Sequence, residues 1–278
     1  MAAITAADVN KLRQMTGAGM MDCKKALSEA DGDFEKAIEI LRKAGQKVAA
    51  KRADNTTSEG LVLVKLSEDG QNGKLVALAC ETEPVSKVED FRNLADAILT
   101  AAVVNNPATK EDLLTLPLAD GRTIQETITE LVGKIGEKIV IAAYENVTAD
   151  QVVSYIHSNG KLGVIVAFNN TQGTDVVEVG KDIAMQIAAM KPVAVSKEDV
   201  DPALAEKELE IGREQARAEG KPEAILDRIA QGRLEKFYKE NTLLSQEFVK
   251  DGSLTIAQLL EKTQKGLKVQ EFKRIALA

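Results

Sequence analysis

EGLVLVKLSEDGQNGKLVALAC, residues 59–80, is two apolar runs parted by a polar, glycine-containing turn. Aliphatic runs of this length, bounded by Ser, Asp, Gly and Asn, predict a β-hairpin. The helix VEDFRNLADAILTAAVVNNP (88–107) follows, with Phe91, Leu94, Ala95, Ile98 and Leu99 on one side and a stop at Pro107. The same order returns as QVVSYIHS (151–158), a tight NGKLG (159–163), GVIVAFN (163–169) and the helix VEVGKDIAMQIAAMKP (177–192). Two strand–strand–helix units are predicted. Matching GKLVALAC to GKLGVIVAF pairs Gly73 with Gly160, and the order of elements argues for duplication better than identity does. Between the units, TIQETITELVGKIGEKIVIAAYENV (123–147) predicts a helix ending near Gly133 and then a strand. Each unit then has about three antiparallel strands with helices on one face, an α+β fold.

On the N-terminal side the period is helical throughout residues 5–53. Thr5 caps with Asp8, and Val9, Leu12 and Met15 fall on one face. TGAG (16–19) breaks this helix, a second starts at Met20 or Met21 and runs to Ala30, and a third carries Phe34, Ala37, Ile38 and Leu41. A three-helix module is predicted, followed by the polar linker ADNTTSEG. On the C-terminal side, residues 201–240 predict an antiparallel helical hairpin turning at EGKP (219–222). Leu204, Ile211 and Ala218 form its outgoing stripe, with Ile225 and Ile229 on the return. SLTIAQLLEK predicts a helix and LKVQEFKRIAL a last strand.

The chain has 278 residues, 36 basic against 43 acidic, for a net charge of −7. No global positive field exists to meet a phosphate backbone, and aromatics make up only 3% with no Trp to stack on bases. Direct nucleic-acid binding is not expected. The two cysteines, Cys23 and Cys80, fit no paired metal or redox spacing, and no apolar stretch approaches membrane-spanning length, so a cytoplasmic setting is expected.

Enzyme signatures are missing. There is no GxxxxGK[ST], and TGAG lacks the preceding strand of a dinucleotide fingerprint. With His157 the sole histidine, no multi-histidine metal site can form, and no GxSxG elbow supports a serine triad. No cofactor, metal or catalytic residue is expected; His157 reads as an edge histidine hydrogen-bonded at a strand end. Two features remain. Met20 and Met21 diverge by about 100° on a helix, so both cannot point into a small core. One is expected to be exposed, either covering Leu12 or serving as a soft docking surface. CETEPVSK (80–87) ends a strand in acids and a proline, which reads as an ordinary strand-to-helix turn or a rigid exposed tip.

The stretches LRQMTGAGMMDCKKAL (12–27), AIEILRKAGQKVAAKRADNTTSEG (37–60), KIGEKI (134–139), IAMQIAAMKP (183–192), EGKPE (219–223) and IAQGRLEKF (229–237) resemble the bacterial elongation factor Ts family, in the family's order. These are guanine-nucleotide exchange factors of elongation factor Tu, not enzymes. The resemblance implies a ubiquitin-associated-like docking domain over 1–53, a linker over 54–59, core subdomains over 60–147 and 148–278, and a coiled-coil hairpin over about 203–238. By resemblance, Arg13, Met20, Met21 and Lys24 dock on the partner's nucleotide-binding domain, and Arg52, Ile135, Gly136, His157 and Val249 match further contact positions. The partner is elongation factor Tu, GDP-bound or nucleotide-free, and a dimer or a heterotetramer with it is compatible with the family. Where the family carries TDFV, with aspartate and phenylalanine wedged near the partner's magnesium and phosphate site, this chain has Thr82, Glu83, Pro84 and Val85. That departure opens an alternative expectation, a protein that holds elongation factor Tu as a chaperone or subunit without exchanging its nucleotide.

Overall fold

Thr5 starts the first helix as its side chain and that of Asp8 cap each other's backbone amides, and Gly17 ends it in the left-handed conformation at φ +66°. The computed structural model describes residues 4–277. In the N-terminal module, α1 (Ala6–Thr16), α2 (Met20–Glu29) and α3 (Phe34–Lys51) pack around Val9, Leu12, Cys23, Ala26, Leu27 and Ala37. Met15 does not join this core. It sits at the last turn of α1, is 57% exposed, and borders a cleft toward the rest of the protein.

Next come β1 (Glu59–Leu66), β2 (Asn72–Cys80), the one-turn α4 (Glu83–Ser86), α5 (Glu89–Asn105), α6 (Lys110–Thr115), α7 (Ile124–Ile135) and β3 (Ile139–Thr148). The second half holds β4 (Gln151–Ile156), β5 (Leu162–Asn169), α8 (Val177–Met190), α9 (Pro202–Ala218), α10 (Glu223–Asn241), β6 (Glu247–Phe248), β7 (Asp251–Thr255), α11 (Ile256–Thr263) and β8 (Lys268–Ala276). The sheets run β1-β2-β3 and β4-β5-β8, all antiparallel, with a small β6-β7 ribbon beside them. The fold is α+β.

The two sheets pack face to face, which is why their central strands are apolar without alternation. On β2, Leu75 and Ala77 meet Ile165 and Ala167 of β5 between the sheets, with Val62, Val147 and Val152. The opposite face of β2, Val76, Leu78 and Cys80, lies under α5 and α7; that of β5, Val164, Val166 and Phe168, lies under α8 and α11. The halves are related by a repeat of ninety positions. Val62 donates its amide to the Gly160 carbonyl (2.8 Å), and Val152 donates to Gly70 (2.7 Å). A Cβ on Gly73 would come within 2.8 Å of Val152, and one on Gly163 within 2.5 Å of Val62. The partner of Gly73 is therefore Gly163, where sheet meets sheet, and not Gly160, which turns the second hairpin. Both central strands shift register at equivalent points, Ala77/Leu78 and Ala167/Phe168.

Two further expectations change. Helix α7 runs through Gly133 to Ile135 and stops at Gly136, whose φ of +82° gives the left-handed cap. In the α9–α10 hairpin the buried seam is Gly212 and Ala216 against Leu226, Ala230 and Leu234, while Ala218 is exposed. Small residues set that seam because the helices approach closely: a Cβ on Gly212 would lie 3.2 Å from the Ala230 Cα.

Candidate functional site

The α1–α2 turn presents the docking candidates outward. Cys23, Ala26 and Leu27 face the module core, leaving Met20 and Met21 in the first turn of α2 at 55% and 74% exposed. Both methionines are outside, one more than helical geometry required. Arg13 and Lys24 are exposed on the adjoining turns of α1 and α2. Gly17, between Arg13 and Met20, lies against the Lys134 side chain, and Lys134 reaches Asp90 at the start of α5 (2.6 Å). The α1–α2 turn thus abuts the end of α7, where Ile135 packs half-buried on the core and Gly136 caps the helix.

One residue past that cap, Glu137 holds the tip that follows β2. Its carboxylate accepts from the Thr82 amide (3.0 Å) and hydroxyl (2.7 Å). Thr82, Glu83 and Pro84 are exposed, with Pro84 in the first turn of α4. Val85 is different. It is 7% exposed and belongs to the core beneath α5, so it anchors the tip and offers no surface to a partner. A hydrogen bond from Lys87 (2.8 Å) holds the Glu83 carboxyl below the usual carboxylate range, so it is ionised at neutral pH. The neighbouring Cys80 thiol is buried, and burial together with Glu137 and Glu59 pushes its pKa up to about 12. It is not a nucleophile.

Arg52 reaches the same tip from the end of α3. Its guanidinium donates to both oxygens of Glu81 (3.0 Å each), which also accepts from Asn55 (2.9 Å) and the Lys138 amide (2.6 Å). The Lys138 ammonium in turn holds the carbonyls of Ala53 (2.5 Å) and Asn55 (2.8 Å). The segment after α3 is therefore fastened to the core. The Lys138 amide first, then Asn55 and Arg52, lower the Glu81 pKa below 4.5. Since the ionised form is favoured in the folded state, this network is at full strength above about pH 4.5 and is lost as pH falls through the depressed value. Glu81→Gln is expected to lower stability by about 1–2 kcal/mol, and to remove that part of the acid dependence, in melts across pH 3–7. Unchanged melts throughout would show that Glu81 contributes nothing.

His157 sits exposed at the β4–β5 turn, its Nδ1 in a hydrogen bond with the Tyr155 hydroxyl (2.8 Å). That turn is joined to the same end of the molecule: Lys161 pairs with Glu59 (2.6 Å), which stands opposite Cys80 in the β1–β2 ladder. Val249 stands apart. It is exposed in the β6–β7 turn, its amide bonded to Gln186 of α8 (2.9 Å), and no hydrogen bond among the described residues joins it to the tip. Glu81, Glu137, Lys134 and Lys138 were not singled out in the sequence. The adjacent acids of CETE were the one signal, and their partners lie up to 57 positions away.

The family model described as elongation factor TS matches residues 81–278. A protein named elongation factor Ts from Cytophaga hutchinsonii is 66% identical over 278 residues, covering all of both chains. Its namesakes from Amoebophilus asiaticus (57% over 273 residues, 98% of each chain) and Christiangramia forsetii (46% over 278 residues, all of each chain) are also similar. The chain belongs to the elongation factor Ts family. Its relatives span its helical module, both sheets and the α9–α10 hairpin, and none of their names supports the holding-only alternative. No helix among the described residues is long and apolar enough to cross a membrane.

Proposed function

We propose that this chain binds GDP-bound elongation factor Tu and speeds GDP release so that GTP can replace it. The observation that carries the reading is the joining, at one end of the molecule, of an exposed apolar docking turn to an exposed acidic tip. Met20 and Met21 present the apolar turn, Thr82, Glu83 and Pro84 present the tip, and Lys134 and Glu137 lie between them. In this reading Arg13, Met20, Met21 and Lys24 of a docking domain over 1–53 seat on the partner's nucleotide-binding domain. Arg52, Ile135 and Gly136 support the tip, while His157 and Val249 of the second core subdomain (148–278) touch the partner elsewhere.

Exchange of this kind is a coupling between two binding equilibria. Factor and nucleotide weaken each other's hold by the same factor, and no covalent step is required of this chain. A ten-thousandfold faster release needs about 5.5 kcal/mol of additional stabilisation of the opened state. Glu83, ionised at the tip, supplies repulsion toward the phosphates and competition for the magnesium, while Val85 and Glu137 keep the tip from yielding.

The test is stopped-flow release of a fluorescent GDP analogue from elongation factor Tu of the same source across concentrations of this protein. A saturating acceleration supports the reading; tight binding without acceleration overturns it in favour of holding. Light scattering of the same mixture distinguishes a one-to-one complex from a heterotetramer, and of the factor alone a monomer from a dimer. The cytoplasm is the compartment this role requires.

A further inference from the structure

Helices α3 and α7 touch backbone to backbone. A Cβ on Gly133 would lie 2.7 Å from the Gly45 Cα, and one on Gly45 would lie 3.3 Å from the Thr129 carbonyl and 3.4 Å from the Gly133 Cα. Such proximity is available only where both helices present glycine. It comes at a cost, since glycine is a poor helix former and Gly133 lies two residues from the end of α7, inside a helix otherwise rich in good helix-forming and apolar residues. Gly133 therefore marks a crossing and not the helix terminus that the local pattern predicts.

We infer that Gly45 and Gly133 are positioning residues for exchange: their crossing seats the docking module and the Thr82–Val85 tip as a single rigid body. This rests on the exchange reading above, and its own content is mechanical. The crossing lies on the short path between the two surfaces. Gly133 directly precedes Lys134, which packs against Gly17 of the α1–α2 turn and pairs with Asp90, and Glu137, one residue past the Gly136 cap, grips Thr82. The Glu81 network fastens the far end of α3. With the 54–59 segment held and the helices in contact, docking at Met20 and Met21 fixes where Glu83 and Pro84 arrive. If the module instead swung on a free linker, docking would bring the tip only into the partner's neighbourhood, and the tip's contact would carry its own ordering cost.

Beside the crossing is a cleft of about 320 Å³ lined by Met15, Ile38, Leu41, Val48 and Lys134, so added bulk at position 133 has space to tilt α3 without entering either core. Alanine is the better helix former, so α7 itself stays helical in Gly133→Ala. Wild type, Gly45→Ala, Gly133→Ala and Gly133→Leu are compared by two measurements. The first is the electron spin distance between labels on Glu29→Cys in α2 and Val104→Cys in α5; both positions are exposed, and the native Cys23 and Cys80 are fully buried. The second is the maximal rate of GDP-analogue release from elongation factor Tu at saturating factor.

Expected are a narrow distance distribution in wild type, a shifted or broadened one in both Gly133 variants with Gly133→Leu the larger, and a smaller shift in Gly45→Ala, whose Cβ would meet the Thr129 carbonyl at 3.3 Å where that of Gly133 meets backbone at 2.7 Å. Maximal release should fall at least tenfold in Gly133→Leu, with the melting temperature of the sheets retained. A broad distribution in wild type overturns the rigid body. A Gly133→Leu protein that shifts the distance yet releases GDP at the wild-type maximal rate overturns the positioning role in exchange. A wild type that binds but does not accelerate release overturns the exchange reading instead, and the distance measurement then still decides whether the crossing holds the two surfaces together.

Discussion

Phenylalanine in place of Pro84 is expected to raise the maximal rate of GDP release from elongation factor Tu by about one to two decades. Pro84 is exposed in the first turn of α4, on a tip anchored from below by Val85 and from the side by Glu137, so a larger side chain there projects outward without disturbing the core. Burying one phenylalanine contributes about 1.5–3 kcal/mol, and each 1.4 kcal/mol is a tenfold rate if the burial occurs only in the opened complex. Against this, proline is well suited to the first turn of a helix, and removing it frees the unfolded chain by about 0.4–1 kcal/mol, a change in stability and not in exchange. The stopped-flow maximum, read beside a thermal melt, separates the two. An unchanged maximum would mean that the tip does not act as a wedge in this protein.

Met21→Asp is expected to weaken binding to elongation factor Tu at least thirtyfold while leaving the fold intact. At 74% exposed, Met21 makes little contribution to its own module, whose core is held by Leu12, Cys23 and Leu27. Aspartate in the first turn of a helix suits the helix dipole, so α2 is not weakened. In the complex, however, a desolvated carboxylate replaces a polarizable thioether at the centre of the docking turn, a change of more than 2 kcal/mol typical of interface hot spots. Titration calorimetry reads the loss. A variant that binds like wild type would remove Met21 from the interface and leave the exposed methionine pair without a functional account.

Much of this architecture is written locally. The Thr5–Asp8 capping box, the hairpin of residues 59–80, the helix stops before Pro107 and Pro192, and the EGKP turn each depend on neighbours within a few positions, and each is found in the structure. Local periodicity misled where a residue answered to a distant partner. Gly133 looked like a helix end and is a crossing point; Met15 matched the core face of α1 and borders a cleft; Ala218 fitted a heptad and lies outside a seam set by Gly212 and Ala230. The shared lysine neighbour pairs Gly73 with Gly160 in the sequence, whereas sheet packing makes Gly163 its equivalent.

The candidate site divides the same way. Composition and pattern pointed to the methionine pair and the CETEPVSK tip because adjacent helical residues must diverge and a proline after a strand must turn the chain. Family resemblance supplied the remaining positions. The sequence by itself thus determined most of the elements and their order, though not α4, α6 or the β6–β7 ribbon, and the two surfaces worth testing, all of which follow from interactions spanning one or two turns of chain. Only the tertiary structure decided that those surfaces share one end of the molecule, that Val85 is an anchor and Val249 stands apart, and that Glu81, Glu137, Lys134 and the Gly45–Gly133 contact tie the module to the tip. Those facts rest on contacts between residues tens of positions apart, and nothing in the local pattern of either partner encodes the other.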